Sequence, residues 1–151
     1  MPILNYTTKI EAGRTVGELQ QLLARAGVAS IKVDYEIGHP TAVSFLVLVG
    51  GRLLPFRLPA DVAGVRQVMA RDPQVPRNLK TEEQARRVAW RVVKDWVEAQ
   101  MAFIESGQAT LAQLFLPHAV APDGRTMYQA VVDDPRFLLG AGASEQEGSE
   151  R

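Results

Sequence analysis

The residues best suited to ligand chemistry lie on one long predicted helix. Trp90 sits there among four cations: Arg86, Arg87, Arg91 and Lys94. Nucleobases stack on exposed aromatic rings while Arg and Lys hold phosphates, so this combination is typical of a surface that binds a single-stranded nucleic acid. In the alternative interpretation these cations form a solvated helix face, supported by Arg91–Asp95 and Lys94–Glu98 pairs one turn apart.

The apolar residues of the same helix indicate which side is buried. At 100° per residue they form one stripe: Ala85, Val88, Ala89, Val92, Trp96, Ala99 and Phe103. This pattern predicts that Trp96 is a core residue. Trp90 falls at the border of the stripe, beside the cations, which leaves it free to stack a base.

A second candidate surface is the face of a predicted sheet. In the strand over residues 52–58, Arg52 and Phe56 share one face and Arg57 lies on the other. With Tyr6 nearby, Arg52 and Arg57 could form the aromatic and basic platform that several single-strand-binding folds present. Alternatively, Tyr6 and Phe56 are simply core residues.

The sequence argues against catalysis and against a bound metal or cofactor. It has no Cys, and its two histidines are isolated: His39 lies in a predicted hairpin turn and His118 follows a proline. No HExxH, GxSxG, Walker or GxGxxG motif occurs. Asp133 and Asp134 are adjacent and point apart, as capping residues do. We therefore predict a protein that is not an enzyme and that holds no metal or cofactor.

The elements that must position these residues follow from local patterns. Residues 3–10 are rich in β-branched and aromatic types and predict a strand. A helix follows, with Thr15 and Glu18 as a capping box and Gly27 as its end. Further strands are predicted over residues 30–37, 41–49 and 52–58, with Gly50 and Gly51 forming a hairpin turn.

From Pro59 onward the period becomes helical. Helices are predicted over residues 60–71 and 81–106, the second capped by Thr81, with shorter helical segments over 110–115 and 126–132. The predicted fold class is α+β: an N-terminal β-α-β-β-β antiparallel sheet, with the 60–71 and 81–106 helices packed on one of its faces.

Length and composition agree with one domain. The 151 residues, 46% of them hydrophobic, suit a single domain over residues 1–139, followed by a disordered acidic tail over 140–151 with Glu145, Glu147 and Glu150. No apolar run reaches the roughly 18 residues of a membrane helix, and the start lacks a signal-peptide pattern. We therefore expect a cytoplasmic protein.

The net charge of zero hides two opposite blocks. Residues 52–94 carry ten basic and four acidic side chains, whereas residues 95–151 carry three basic and nine acidic ones. Thirteen of the 17 cations are Arg, whose planar fork suits contact with phosphates or bases. Blocks of this kind indicate charged partners rather than a particular fold.

Four segments together resemble a family of small proteins encoded by phages, prophages and bacteria. They are residues 5–10 (NYTTKI), 15–20 (TVGELQ), 56–59 (FRLP) and 85–100 (ARRVAWRVVKDWVEAQ), and the likeness spans about residues 3–138. The resemblance implies a mobile-element setting, in the host cytoplasm, and no catalytic residues. In that setting a small basic domain is expected to bind nucleic acid, commonly single-stranded DNA during replication or recombination.

Two functions therefore remain open. The first is a non-catalytic module that binds nucleic acid, preferring single-stranded DNA, through Trp90 and its cations or through the sheet face. The alternative is a protein-interaction module that docks on a host replication or transcription protein through the oppositely charged blocks.

Overall fold

The computed structural model describes residues 1–136 and has an α+β fold. Five α-helices lie in this part of the chain: α1 (Ala12–Arg25), α2 (Val62–Arg71), α3 (Glu82–Glu105), α4 (Leu111–Phe115) and α5 (Met127–Asp133). The strands are β1 (Ser30–Glu36), β2 (His39–Val49) and β3 (Arg52–Pro59). Short 3-10 turns occur at Arg77–Leu79 and Leu116–His118. The predicted tail at 140–151 lies outside the described residues.

The three strands form an antiparallel meander in the order β1-β2-β3. The turn between β2 and β3 is the predicted pair of glycines, both with positive φ (56° for Gly50 and 79° for Gly51). Two successive residues in the left-handed conformation match the twist of a two-residue hairpin, and only glycine adopts this conformation without steric cost. This prediction is confirmed.

The prediction of a strand over residues 3–10 is wrong. The segment turns instead, with Asn5 at φ 67° and its carbonyl accepting from the Thr8 amide at 2.9 Å. The side-chain amide of Gln84 donates to the carbonyls of Tyr6 and Thr8 at 2.9 and 2.8 Å. Docking on α3 thus satisfies carbonyls that a sheet would otherwise have bonded, and this contact overrides strand propensity.

Helix α1 also begins earlier than its sequence predicts. Its first residue is Ala12 and its N-cap is Glu11, so Thr15 is not a cap but a buried residue of the first turn. Glu18 forms no capping box and pairs instead with Arg91 of α3. The predicted cap of α3 is confirmed, because the Thr81 hydroxyl accepts from the Gln84 amide at 3.1 Å.

The main core lies between the sheet and the helix pair α1–α3. Phe45 and Phe56 stack at 5.5 Å on the inner face of the sheet, with Phe115 of α4 edge-on to Phe45. Leu19 and Leu23 of α1 and Val97 of α3 close this core. The helix beside α3 over the sheet is therefore α1, not α2 as the sequence predicted.

Helix α2 packs on α3 through a second, smaller core. Met69 and Val75 meet Ala85 and Val88 there, and Tyr6 packs at its margin. Because α2 has only ten residues against 24 in α3, its cover stops near Val92. Among the described residues, α2 therefore covers only the N-terminal half of α3.

Candidate functional site

Trp90 is wholly buried, which contradicts its predicted role in stacking a base. Its exposed fraction is 0%, and its indole Nε1 donates to the carbonyl of Pro40 at 3.1 Å. The ring fills the space between α3 and the start of β2, where a hydrogen bond is required for a buried indole N–H. A nucleobase has no access to it.

The predicted basic face of α3 is the interface with α1. Arg87 donates to Glu11 at 2.7 Å and to Glu83 at 2.7 Å, Arg91 pairs with Glu18, and Lys94 pairs with Glu98. The side chains of the three cations are only 14–21% exposed. Hydrogen bonding to Glu11 is the largest cause that raises the pKa of Arg87. These cations are neutralised within the chain, so they offer no open face to phosphates.

The predicted Arg91–Asp95 pair is replaced by longer-range contacts. Asp95 accepts from the side-chain amide of Asn5 at 2.7 Å and lies 4.0 Å from Lys94. The predicted Lys94–Glu98 pair is present. Arg86, the fourth cation, lines a cleft beside the β1–β2 turn, and Arg87 lines part of the same cleft.

The second predicted surface does not form as a platform. Phe56 is buried, Arg52 lies at the hairpin end of β3, and Arg57 lies on the outer face 3.8 Å from Asp34 of β1. Tyr6 lies off the sheet, against the second core. The structure therefore does not bring Tyr6, Arg52 and Arg57 together with an exposed aromatic ring.

Three cations that lie close together in the sequence have no carboxylate partner among the described residues. They are Arg71 at the end of α2, Arg77 on the following 3-10 turn, and Lys80. The Lys80 ammonium donates to the carbonyl of Ala70 at 3.3 Å, which holds it against the C-terminus of α2. No carboxylate of the described residues lies within 4 Å of these three cations. We call them the α2 basic cluster.

The largest unexpected feature is an exposed apolar surface along α3 and α5. Trp96 is 38% and Phe103 47% exposed, although the helical stripe predicted both as core. The stripe is correct as far as Val92, but beyond it α2 no longer covers that side. The C-terminal half of α3 is buried on the side of Val97 and Met101, which faces the main core together with Trp90.

This surface continues across the end of α4. Trp96 packs edge-on against Phe115 at 5.1 Å and His118 at 5.7 Å, and the amide of Met127 bonds the carbonyl of Ala119 at 2.7 Å. These contacts hold the elements together, and we call their exposed large apolar side chains the α3–α5 face: Trp96, Phe103, Leu116, Met127, Tyr128 and Val132.

Most residues of this face could not be recognised from the sequence. Leu116, Met127 and Tyr128 carried no signal of their own, and Trp96 and Phe103 were assigned to the core. A comparison of helix lengths could have found it, since a predicted helix of 12 residues cannot cover one of 26 along its whole side.

Within residues 1–136 no three His, Asp or Glu side chains lie close enough together to hold a metal ion. None of the helices in this part of the chain is long and apolar enough to span a bilayer. Comparison with family models, curated proteins and solved structures found no match for this chain. The resemblance to small phage proteins accordingly stays a prediction.

Proposed function

We propose that the protein is a non-catalytic interaction module whose α3–α5 face binds a basic amphipathic helix of a partner protein. The observation that carries the proposal is the exposure of six large apolar side chains on elements that pack against one another. Exposed apolar surface of this extent is typical of protein–protein contact sites. Aromatic residues and Met, which are enriched in such interfaces, make up four of the six.

The charge of the surrounding chain favours a basic partner. Over residues 95–136, six carboxylates stand against two cations, and both cations are already paired: Arg125 with Asp123 and Asp133, and Arg136 with Asp134. The potential over this end of the molecule is therefore negative and would steer a cationic segment toward it.

The form of the face favours a helix as the bound element. Trp96 and Phe103 lie seven residues apart on one side of α3, about 10 Å along its axis. A helix that lays apolar residues at intervals of three, four and seven on such a surface would meet these anchors in turn. Given the resemblance to phage-encoded proteins, host replication and transcription proteins are the partners to examine.

Trp96 is a built-in reporter for this proposal. The probe is a synthetic 18-residue amphipathic helix of Leu and Lys, and its control is the same helix with Glu in place of Lys. We expect the Lys peptide to shift the Trp96 emission to the blue, while Trp90 contributes a constant buried background. Equal binding of the Glu peptide would contradict the proposed partner chemistry.

Variants then locate the site. The double change Phe103→Ser and Leu116→Ser should weaken binding of the Lys peptide at least tenfold. The matched control is Leu48→Ser, since Leu48 is exposed but lies on the sheet near the hairpin turn. An equal loss of peptide binding in the Leu48→Ser control would refute the location of the binding site on the α3–α5 face. Self-association that the double variant abolishes would show that a second copy, not another protein, occupies the face.

A second candidate function, single-stranded DNA binding, is favoured by the α2 basic cluster. Three phosphate contacts from Arg71, Arg77 and Lys80 would give a slope of log affinity against log salt of about −2. Oligothymidine binding measured by fluorescence anisotropy should show that slope and vanish when all three are replaced by Gln. In the control, Arg87→Gln and Arg91→Gln should leave the slope unchanged, because their charges are already paired.

A further inference from the structure

A cleft separate from the α3–α5 face lies where three helices begin. Two adjoining cavities, of about 380 and 550 Å³, lie between the first residues of α1, α2 and α3 and the β1–β2 turn. Both are lined by His39, Glu82 and Arg86. Arg86 is therefore the one cation that lines both cavities.

The Arg86 guanidinium has hydrogen-bonding capacity that the described chain leaves unused. Its side chain is only 16% exposed, yet its nearest carboxylate oxygen, on Glu82, is 3.6 Å away, beyond hydrogen-bond distance. Arg87, one position along, makes hydrogen bonds to Glu11, Glu83 and Gln84. Arginine carries five N–H donors, and a half-enclosed guanidinium gains from an acceptor placed in the cleft.

The lining of the cleft selects among anions. Carboxylates and phosphates both match the planar fork of arginine. Glu36 and Glu82 line the larger cavity, and Glu11 and Glu83 the smaller one, so a dianionic phosphate would meet repulsion from several sides. A singly charged carboxylate would meet much less electrostatic repulsion from these side chains.

The larger cavity also has apolar lining residues. They are Ile37, which is almost fully exposed on the β1–β2 turn, Pro40, Ala60 and Val62. An apolar body attached to the anionic group would therefore bury surface against these side chains. Ile37 has φ 49°, an uncommon conformation for a β-branched residue, which the turn holds with its side chain outward.

We propose that this cleft binds a monocarboxylate carrying an apolar substituent, with Arg86 as the bidentate partner of the carboxylate. The same chemistry is found in a small free acid and in the C-terminal residue of a peptide ending in an apolar side chain. The proposal is independent of the α3–α5 face, since it concerns the opposite half of α3.

The probe is N-acetyl-leucine, followed through the Arg86 side-chain N–H signal and the backbone amides of Ile37 and Val62 by nuclear magnetic resonance. We expect saturable shifts with N-acetyl-leucine and none with N-acetyl-leucine amide, which keeps the apolar body and lacks the charge. Inorganic phosphate should bind at least tenfold more weakly. A peptide with a free C-terminal leucine that binds tenfold tighter than N-acetyl-leucine would identify a chain terminus as the source, and equal affinity a free acid.

Arg86→Gln should reduce binding at least tenfold, whereas Arg66→Gln should leave it unchanged. Arg66 is a matched control because it pairs with the same Glu82, at 3.8 Å, and does not line the cavities. Glu82→Gln, at a side chain that is 63% exposed, should strengthen binding by removing the competing carboxylate. Binding of the amide equal to that of the acid, or unchanged affinity in both Arg86→Gln and Glu82→Gln, would overturn the proposal.

Discussion

Replacing Trp90 by Phe should destabilise the protein far more than the same change at Trp96. At Trp90 the change removes the hydrogen bond from the indole to the carbonyl of Pro40, and it empties the space of the second ring of the indole. The lost hydrogen bond costs about 1 kcal/mol and the lost burial about 2 kcal/mol, so the expected total is about 3 kcal/mol. At Trp96, which is partly in water, we expect about 0.5 kcal/mol.

Urea denaturation followed by far-ultraviolet circular dichroism measures both values without relying on tryptophan fluorescence. For a chain of this size the Trp90 change should lower Tm by about 6–12 °C, and the Trp96 change by less than about 2 °C. The two variants are also single-tryptophan proteins. Iodide should quench the fluorescence of the protein that retains Trp96 and hardly affect the one that retains Trp90.

Equal costs for the two changes would refute the assignment of buried and exposed sides of α3. So would a larger cost at Trp96, which is the result that the apolar stripe of the sequence predicts. Similar iodide quenching in the two variants would mean that Trp90 is reachable from solvent. Trp90 could then also be reached by a nucleobase.

Two further outcomes test other contacts. Gln84→Ala should cost about 2 kcal/mol in urea denaturation, because two part-buried carbonyls, of Tyr6 and Thr8, each lose a hydrogen bond; a cost below about 0.5 kcal/mol would show that water replaces the amide. Burial lowers the pKa of His118, so its contribution to stability is present above pH 6.5 and is lost as the pH falls through the folded-state pKa. Stability measured between pH 7 and 5 should fall for the wild type and fall less for His118→Gln, and identical slopes would contradict the role of His118.

The parts of the fold that the sequence predicted well depend on neighbouring residues alone. Gly50 and Gly51 specify a hairpin turn whatever surrounds them, and the Thr81 hydroxyl caps α3 within one turn. The alternation of the strands and the helical period of α2, α3 and α5 are equally local. These patterns sufficed for the α+β class, which is confirmed.

The predictions were wrong where contacts between residues far apart in the sequence determine the structure. Glu11 and Glu18 lie 76 and 73 positions from the cations they neutralise, so no window along the chain contains both partners. Their spacing of seven residues did place both carboxylates on one side of α1, facing the Arg87–Arg91 side of α3. That match of charges was visible in the sequence, but its use required knowing that α1 and α3 pack together.

These long sequence separations also determine how long apolar surface of the chain stays exposed during synthesis. The inner face of the meander is complete when Leu58 leaves the ribosome, but Val97, which closes it, follows about 40 residues later. At synthesis rates of about 5–20 residues per second, the apolar face of the sheet is synthesised about 2–8 s before the part of α3 that packs on it. During that interval only α1, whose Leu19 and Leu23 emerge first, can shield Phe45 and Phe56. By packing on the sheet during synthesis, helix α1 would therefore protect the nascent chain from aggregation before α3 is available to pack beside it.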